Sequence, residues 1–387
     1  MTKTVLLHVG TAKTGTTSIQ RYLTQVQASG QLGPLCYPLW GDDYNQQRLV
    51  VIYRPYEELP PASRQSYPAS KITFNRMRER YGEFVFGALR SADAAVISAE
   101  NLCQYSPRHL DQLRIDLESL GFEDFHIALY IRDPAEFYLS DAQQCLRSAS
   151  VPPHIEDPAS FRYEFLRAAE KWEQAFPGRL MVRRFPENSQ HDIVEDFGGL
   201  IKRCFGVDLP EVALRMNPTI SAEAMQILDD YRRNFWPHNG GLLTTDTARL
   251  VRFLRESTQD ISQTKPVLKP EVAAVIRGNH HADAEVLHSR FGVDLGLRNC
   301  DPLATIPRRE PYRVAEIVEE VNPDVVRRLL LRLANTELSR DPAKRALPLR
   351  LAARAYRMIP PDRRPSGLDI VKRISAGSEC ARRDSNP

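Results

Sequence analysis

The stretch that most constrains this chain is His8-Val-Gly-Thr-Ala-Lys-Thr-Gly-Thr-Thr-Ser18. It grows out of the apolar run at residues 4–9 and leads into the helical pattern Ser18-Ile-Gln-Arg-Tyr-Leu23. The order is strand, glycine-containing turn, helix N-terminus. Such a turn aims successive backbone N–H groups, and the positive end of the helix dipole, at one point. A phosphate or sulfate group is the expected occupant.

Further strand and helix patterns follow in alternation. Leu35-Cys-Tyr-Pro38 reads as a short second strand, Ala94-Ala-Val-Ile-Ser-Ala99 as a buried third, Phe125-His-Ile-Ala-Leu-Tyr-Ile131 as a fourth and Leu180-Met-Val-Arg-Arg-Phe185 as a fifth. Helical spacing covers residues 77–91, 107–120 (closed by Gly121), 134–147, 158–176 and 193–205. The segment 40–80, rich in Tyr, Pro, Arg and Gln, reads as loops and short helices over the carboxyl ends of the strands, suited to acceptor recognition or to plain connection. The pattern predicts an α/β fold of three layers, with a central parallel sheet of about five strands.

The second half is different. Ser221 is a plausible N-cap for a helix over 222–235, and helices are predicted at 245–258, 270–291, 323–339 and 343–358. The expected organisation is a domain over 1–300, a helical, basic C-terminal extension over 301–376 and a disordered tail over 377–387.

Gly10 and Gly15 are separated by four residues, a spacing that resembles a Walker A loop, but Thr16 stands where a nucleotide triphosphatase has its lysine. The lysine lies inside the loop, at Lys13. Lys13-Thr14-Gly15-Thr16-Thr17 after a first strand resembles the pattern of sulfotransferases that use 3′-phosphoadenosine 5′-phosphosulfate (PAPS). A second motif, Tyr130-Ile-Arg132-Asp-Pro134 followed by Tyr138-Leu-Ser140, resembles that family's second signature. The likeness extends over roughly residues 1–220 and is strongest to the bacterial carbohydrate-type enzymes. Two features depart from it: Ala12 stands where that subfamily often has His, and a late Arg-Lys-Gly motif is missing.

The resemblance implies a P-loop topology and transfer of a sulfuryl group from PAPS to a hydroxyl or amine of a carbohydrate or glycolipid acceptor. Lys13 would stabilise the leaving phosphate. Thr14, Gly15, Thr16, Thr17 and Ser18 would hold the 5′-phosphate with Lys13, while Arg132 and Ser140 would grip the 3′-phosphate. The acceptor must lose a proton as it attacks sulfur, and Glu100, at the carboxyl end of the third strand, is the first choice of base. Glu100 could instead cap the next turn or pair with Arg132, and Arg132 could pair with its neighbour Asp133. Two other functions stay open: a kinase or nucleotide triphosphatase, and a non-catalytic protein that binds sulfated glycans.

The remaining histidines point to core or surface roles. His8 lies within the first strand and His109 at a helix start, while His280, His281, Asp283 and His288 fall on one charged helix and read as a solvated face. No metal is expected. A net charge of +3 is too weak to argue for nucleic acid. The six scattered cysteines read as reduced thiols, no stretch is long and apolar enough for a transmembrane helix, and the N-terminus runs straight into the first strand. A cytoplasmic protein is expected. The basic amphipathic stretches at 327–333 and 349–357 either touch the inner face of a membrane or pack their apolar faces on the core, the second being preferred.

Overall fold

The computed structural model describes residues 2–11, 13–59, 64, 66–68, 70–148, 154–186, 190–212, 219–237, 244–256, 260–297, 300, 305–307, 311–334 and 351–360. Five strands, β1 (Lys3–Val9), β2 (Leu35–Cys36), β3 (Ala94–Ala99), β4 (Phe122–Ile131) and β5 (Leu180–Arg184), form one sheet in the order β2-β3-β1-β4-β5. Every pairing in it is parallel. The helices of seven residues or more in the first half are α1 (Thr16–Ala28), then, after the short α2 (Leu49–Tyr53), α3 (Lys71–Arg90), α4 (Pro107–Ser119), α5 (Pro134–Arg147), α6 (Phe165–Ala175) and α7 (Gln190–Phe205). Then come α8 (Ala222–Phe235), α9 (Thr245–Glu256), α10 (Pro270–Asn279), α11 (His281–Phe291), the single turn α12 (Val314–Ile317), α13 (Pro323–Ala334) and α14 (351–358).

The chain divides into two compact units. The first comprises residues 1–137, 162–217 and 276–303, and the second 138–161, 218–275 and 304–387.

The first unit holds the sheet. Val5, Leu6 and Leu7 of β1, Val96 of β3 and Ile127–Ile131 of β4 are fully buried. Such near-continuous apolar runs belong to strands covered on both faces. Side chains alternate across the sheet. Leu6, Val96, Ala128 and Tyr130 pack under Ile19, Leu23 and Val26 of α1 and Phe197 and Ile201 of α7. On the other face α4 and α6 lie against β4, with Phe125 touching Phe176 just beyond α6 at 5.3 Å. This is a three-layer α/β arrangement. In register Val9 faces Ala99 on one side and Leu129 on the other, so the carboxyl ends of β3, β1 and β4 emerge side by side.

Several sequence expectations need adjusting. The second strand stops at Cys36 and does not reach Pro38. The helix expected over 158–176 starts only at Phe165, because the backbone N–H of Tyr163 is taken by the His280 ring at 2.7 Å. The helix expected over 270–291 is two helices broken at His280. That residue is fully buried, its Nδ1–H donating to the Ile276 carbonyl at 2.7 Å, so it does not belong to a solvated face. Burial lowers its pKa. His288 is exposed, as expected of such a face.

The second unit is helical. Ser221 caps α8, accepting from the Ala224 N–H at 3.1 Å. The buried Glu223 carboxylate accepts the backbone N–H groups of Thr264 (3.1 Å) and Asn322 (3.3 Å). In α13 Val325, Leu329, Leu330 and Leu333 are buried, and the helix packs against α8. In α14 Leu351, Ala352 and Ala355 are buried, while the Arg354 guanidinium lies 4.8–5.6 Å from the rings of Tyr231, Phe235 and Trp236 and pairs with Asp246. The apolar faces of these two basic helices are therefore occupied inside the protein. Among the described residues no helix is long and apolar enough to cross a membrane. The expected tail 377–387 lies outside the described residues.

Candidate active site

Three neighbouring strand ends of the first unit build the site. β1 runs into Gly10, β3 into a 3-10 turn (Glu100–Gln104) and β4 into Arg132. At Gly10 the chain passes close to its neighbours. A Cβ there would stand 2.5 Å from Thr16 Oγ1 and 3.1 Å from the Glu100 Cα. Only a residue without a side chain lets the loop fold back over α1 and lie against β3.

The loop is tied down from within. Thr11 Oγ1 donates to the Tyr130 carbonyl at 2.8 Å, and Thr14 Oγ1 donates to the Thr11 carbonyl at 2.7 Å. Thr14 is fully buried, so its hydroxyl shapes the loop and does not face a ligand. Lys13 has φ 65°, and it is the one non-glycine with a left-handed backbone among the described residues. A side chain in that region costs on the order of 1–2 kcal/mol, and such strain concentrates at functional positions. Gly15, φ 75°, is the N-cap of α1, its carbonyl accepting from Ser18 (2.8 Å) and Ile19 (3.1 Å). The backbone N–H groups of Thr14, Gly15, Thr16 and Thr17 find no acceptor among the described residues. They are the donors that a helix N-terminus offers to an anion. Thr16 and Ser18 are buried and Thr17 is half-buried.

Glu100 opens the 3-10 turn after β3. Its carboxylate accepts the Lys13 backbone N–H and, at 3.3 Å, the Gln47 side-chain amide. Burial raises its pKa above the usual carboxylate value, while the Lys13 charge and the Lys13 N–H pull the other way. A carboxylate so placed is a stronger base than one in water. Neither alternative role for Glu100 appears: its bonds go to Gln47 and Lys13, not to Arg132. Nearby, the Cys103 thiol lies 3.0 Å from the Glu100 carbonyl, and burial, with the Glu100 charge, pushes its pKa up to about 12.

Arg132 leaves β4 with Nε on Glu136 (2.9 Å) and one terminal nitrogen on the Lys13 carbonyl (3.4 Å). Its guanidinium lies 5.2 Å from the centre of the Phe185 ring. The pairing of Arg132 with Asp133 does not occur. Asp133 instead caps α5, accepting the N–H groups of Ala135 (2.8 Å) and Glu136 (3.0 Å), and bonds Arg277 at 2.9 Å. Lys13, Glu100 and Arg132 are thus brought together. Ser140, the seventh residue of α5, is half-buried and falls in the second unit.

Residues that sequence reasoning missed hold the site in shape. Gln46 is fully buried in the segment expected to overlie the strand ends. Its Oε1 accepts the Ser98 N–H (2.6 Å), its Nε2 donates to the Pro38 carbonyl (3.0 Å) and its own N–H reaches the Ser98 carbonyl (3.4 Å). Gln20 Nε2 donates to the same carbonyl at 2.9 Å. Phe185 lies beneath the loop, 2.9 Å from where a Gly15 Cβ would be. The only available signal was a lone glutamine pair and a terminal phenylalanine, with no periodicity to mark them.

His8 is a core residue. Its Nδ1 meets Ser98 Oγ at 2.8 Å, its Nε2 is buried without a partner, and burial lowers its pKa to about 3. His109 closes a capping box with Ser106 at the start of α4. Among the described residues no cluster of three or more His, Cys, Asp or Glu is arranged to hold a metal, and the five described cysteines form no disulfide with one another. The arrangement offers an anion cradle, a lysine, an arginine fork and one carboxylate of raised basicity. Comparisons with models of known families, with curated proteins and with solved structures found no match to this chain.

Proposed function

We propose that this chain is a PAPS-dependent sulfotransferase acting on a hydroxyl, or less favourably an amine, of a carbohydrate or glycolipid acceptor. The observation that carries the reading is the meeting of Lys13, Glu100 and Arg132 at three adjacent strand ends, with Glu100 bonded to the Lys13 backbone. The central position of β1, between β3 and β4, fits the P-loop topology expected of such an enzyme.

The residues fit the co-substrate. The open N–H groups of Thr14–Thr17 suit a 5′-phosphate, and Arg132, with donors left beyond Glu136 and Lys13, suits the 3′-phosphate. PAPS supplies the sulfuryl group and departs as adenosine 3′,5′-bisphosphate. The acceptor oxygen forms its bond to sulfur as the bond from sulfur to the phosphate oxygen breaks. Glu100 takes the acceptor's proton, and the Lys13 ammonium offsets the charge gathering on the departing phosphate. Ser140 is retained as a second contact to the 3′-phosphate on the strength of the motif alone.

The test is calorimetric titration with adenosine 3′,5′-bisphosphate beside ATP–Mg²⁺, repeated on Arg132→Ala. Binding of the bisphosphate that is tighter than that of ATP and falls tenfold or more in the variant is expected, since a hydrogen bond to a charged group contributes roughly 1.5–3 kcal/mol. Preference for ATP, or indifference to Arg132, would replace this reading with phosphoryl transfer.

A further inference from the structure

The geometry points to Tyr163 as a positioning residue that sets the shape of the anion loop through Thr11. The inference rests on the reading of residues 10–17 as an anion cradle.

Thr11 is the node of that loop. Its hydroxyl has one proton, which the Tyr130 carbonyl takes at 2.8 Å, and the Tyr163 hydroxyl donates to the same oxygen at 2.7 Å. Its carbonyl in turn receives Thr14 Oγ1 at 2.7 Å. The path from Tyr163 to the open N–H groups is therefore two side chains long. All of it is buried: Thr11 is 3% exposed, Thr14 0% and Tyr163 8%. In such surroundings an unmade hydrogen bond carries its full desolvation cost, which makes the arrangement two-sided: fully satisfied it is rigid, and half satisfied it is worse than none.

Tyr163 is itself held from two directions. Its ring stacks on Phe137 with centroids 3.8 Å apart and planes 8° from parallel. Its N–H donates to His280 Nε2 at 2.7 Å, and the other nitrogen of that ring donates to Ile276. The phenol therefore has no freedom to follow Thr11 if the loop moves. A ring fixed by packing and a backbone bond, and aimed at one hydroxyl, is what places a loop. Ordinary core tyrosines need only a partner for their hydroxyl. This one has its partner in the segment whose backbone strain, at Lys13, must be held by its surroundings.

The experiment uses the full chain. Tyr163→Phe removes one oxygen and keeps the stack on Phe137. Its affinity for adenosine 3′,5′-bisphosphate is expected to fall about fivefold. Thr11→Val is expected to lose affinity, and adding Tyr163→Phe to it is expected to cost nothing more, because the bond is already gone. A purely structural tyrosine would lower the urea midpoint in every variant and leave the affinity ratios at one, and that result overturns the proposal. A second measurement separates it from the proposed function. Inorganic phosphate is titrated while the amide resonances of Thr14–Thr17 are followed by nitrogen-15 spectra. Amides that respond to phosphate in the wild type and less in Tyr163→Phe uphold the positioning role even if the bisphosphate fails to bind. Amides that ignore phosphate, or respond equally in both proteins, refute it.

Discussion

Lys13 holds a backbone conformation that its side chain disfavours, and this yields a sharp test. At φ 65° a Cβ costs on the order of 1–2 kcal/mol, whereas glycine is at ease there. Against that gain, glycine brings about 0.5–1 kcal/mol of extra chain entropy to the unfolded state. Lys13→Gly should therefore be more stable than Lys13→Ala by about 0.5–1 kcal/mol, the reverse of their order in a helix. Both variants lack the ammonium, and both keep the N–H that Glu100 accepts. Gly292 supplies the calibration: it sits at φ 71° with open space where a Cβ would go, so Gly292→Ala measures the backbone cost alone. Urea unfolding of the four proteins gives the differences, and bisphosphate titration gives the function. The expected outcome is a Gly variant at position 13 that is the sturdier of the two and binds no better. If Lys13→Ala equals or exceeds Lys13→Gly in stability while Gly292→Ala shows the expected loss, the strain assigned to Lys13 does not exist.

Gly10→Ala is expected to destabilise by about 2 kcal/mol and to abolish bisphosphate binding, because its Cβ would fall 2.5 Å from Thr16 Oγ1 and crowd the Glu100 backbone; a titration and a melting curve check both. Glu100→Gln keeps the size of the side chain and removes the base, so turnover with PAPS on a responsive acceptor should fall by about 10²-fold or more while bisphosphate affinity changes little. His8 stays neutral when folded, with a pKa near 3, whereas the unfolded chain takes up the proton near 6.5. Stability is therefore lost as pH falls below about 6.5, by about 1.4 kcal/mol per pH unit from this residue, and urea midpoints of His8→Asn should decline less steeply between pH 7 and 5 than those of the wild type. Asp133→Ala uncaps α5 and frees Arg277, and should lower stability by about 1–2 kcal/mol, read from the thermal midpoint.

The fold was legible where elements are driven by local pattern. β3, α5 and α8 lie at the residues their periodicity marks, because a buried parallel strand must be apolar throughout and a helix must show one apolar face. The break at His280 was not legible. It depends on one imidazole finding the Tyr163 N–H, residues more than a hundred positions apart. The site divides the same way. Lys13, Glu100 and Arg132 sit at strand ends, which sequence marks well. The Thr14 hydroxyl turns inward to the Thr11 carbonyl, a choice of rotamer that no spacing encodes, so that of this residue only the backbone N–H faces the cradle. Gln46, Phe185 and Tyr163 act on the site from distant segments, and only tertiary structure brings them there.

Gln46 also limits what this chain can become by mutation. β2 ends at Cys36, so the last rungs of β3 have no neighbouring strand, and one glutamine side chain stands in for it. Asparagine is a methylene too short to reach both partners. Glutamate offers no N–H to the Pro38 carbonyl and would bury a charge. Histidine carries one donor and one acceptor, but fixes them on opposite sides of a rigid ring in place of one terminal amide. A single codon thus guards the frame that carries Glu100. Any remodelling of residues 37–48 would have to keep these two bonds or supply others in their place.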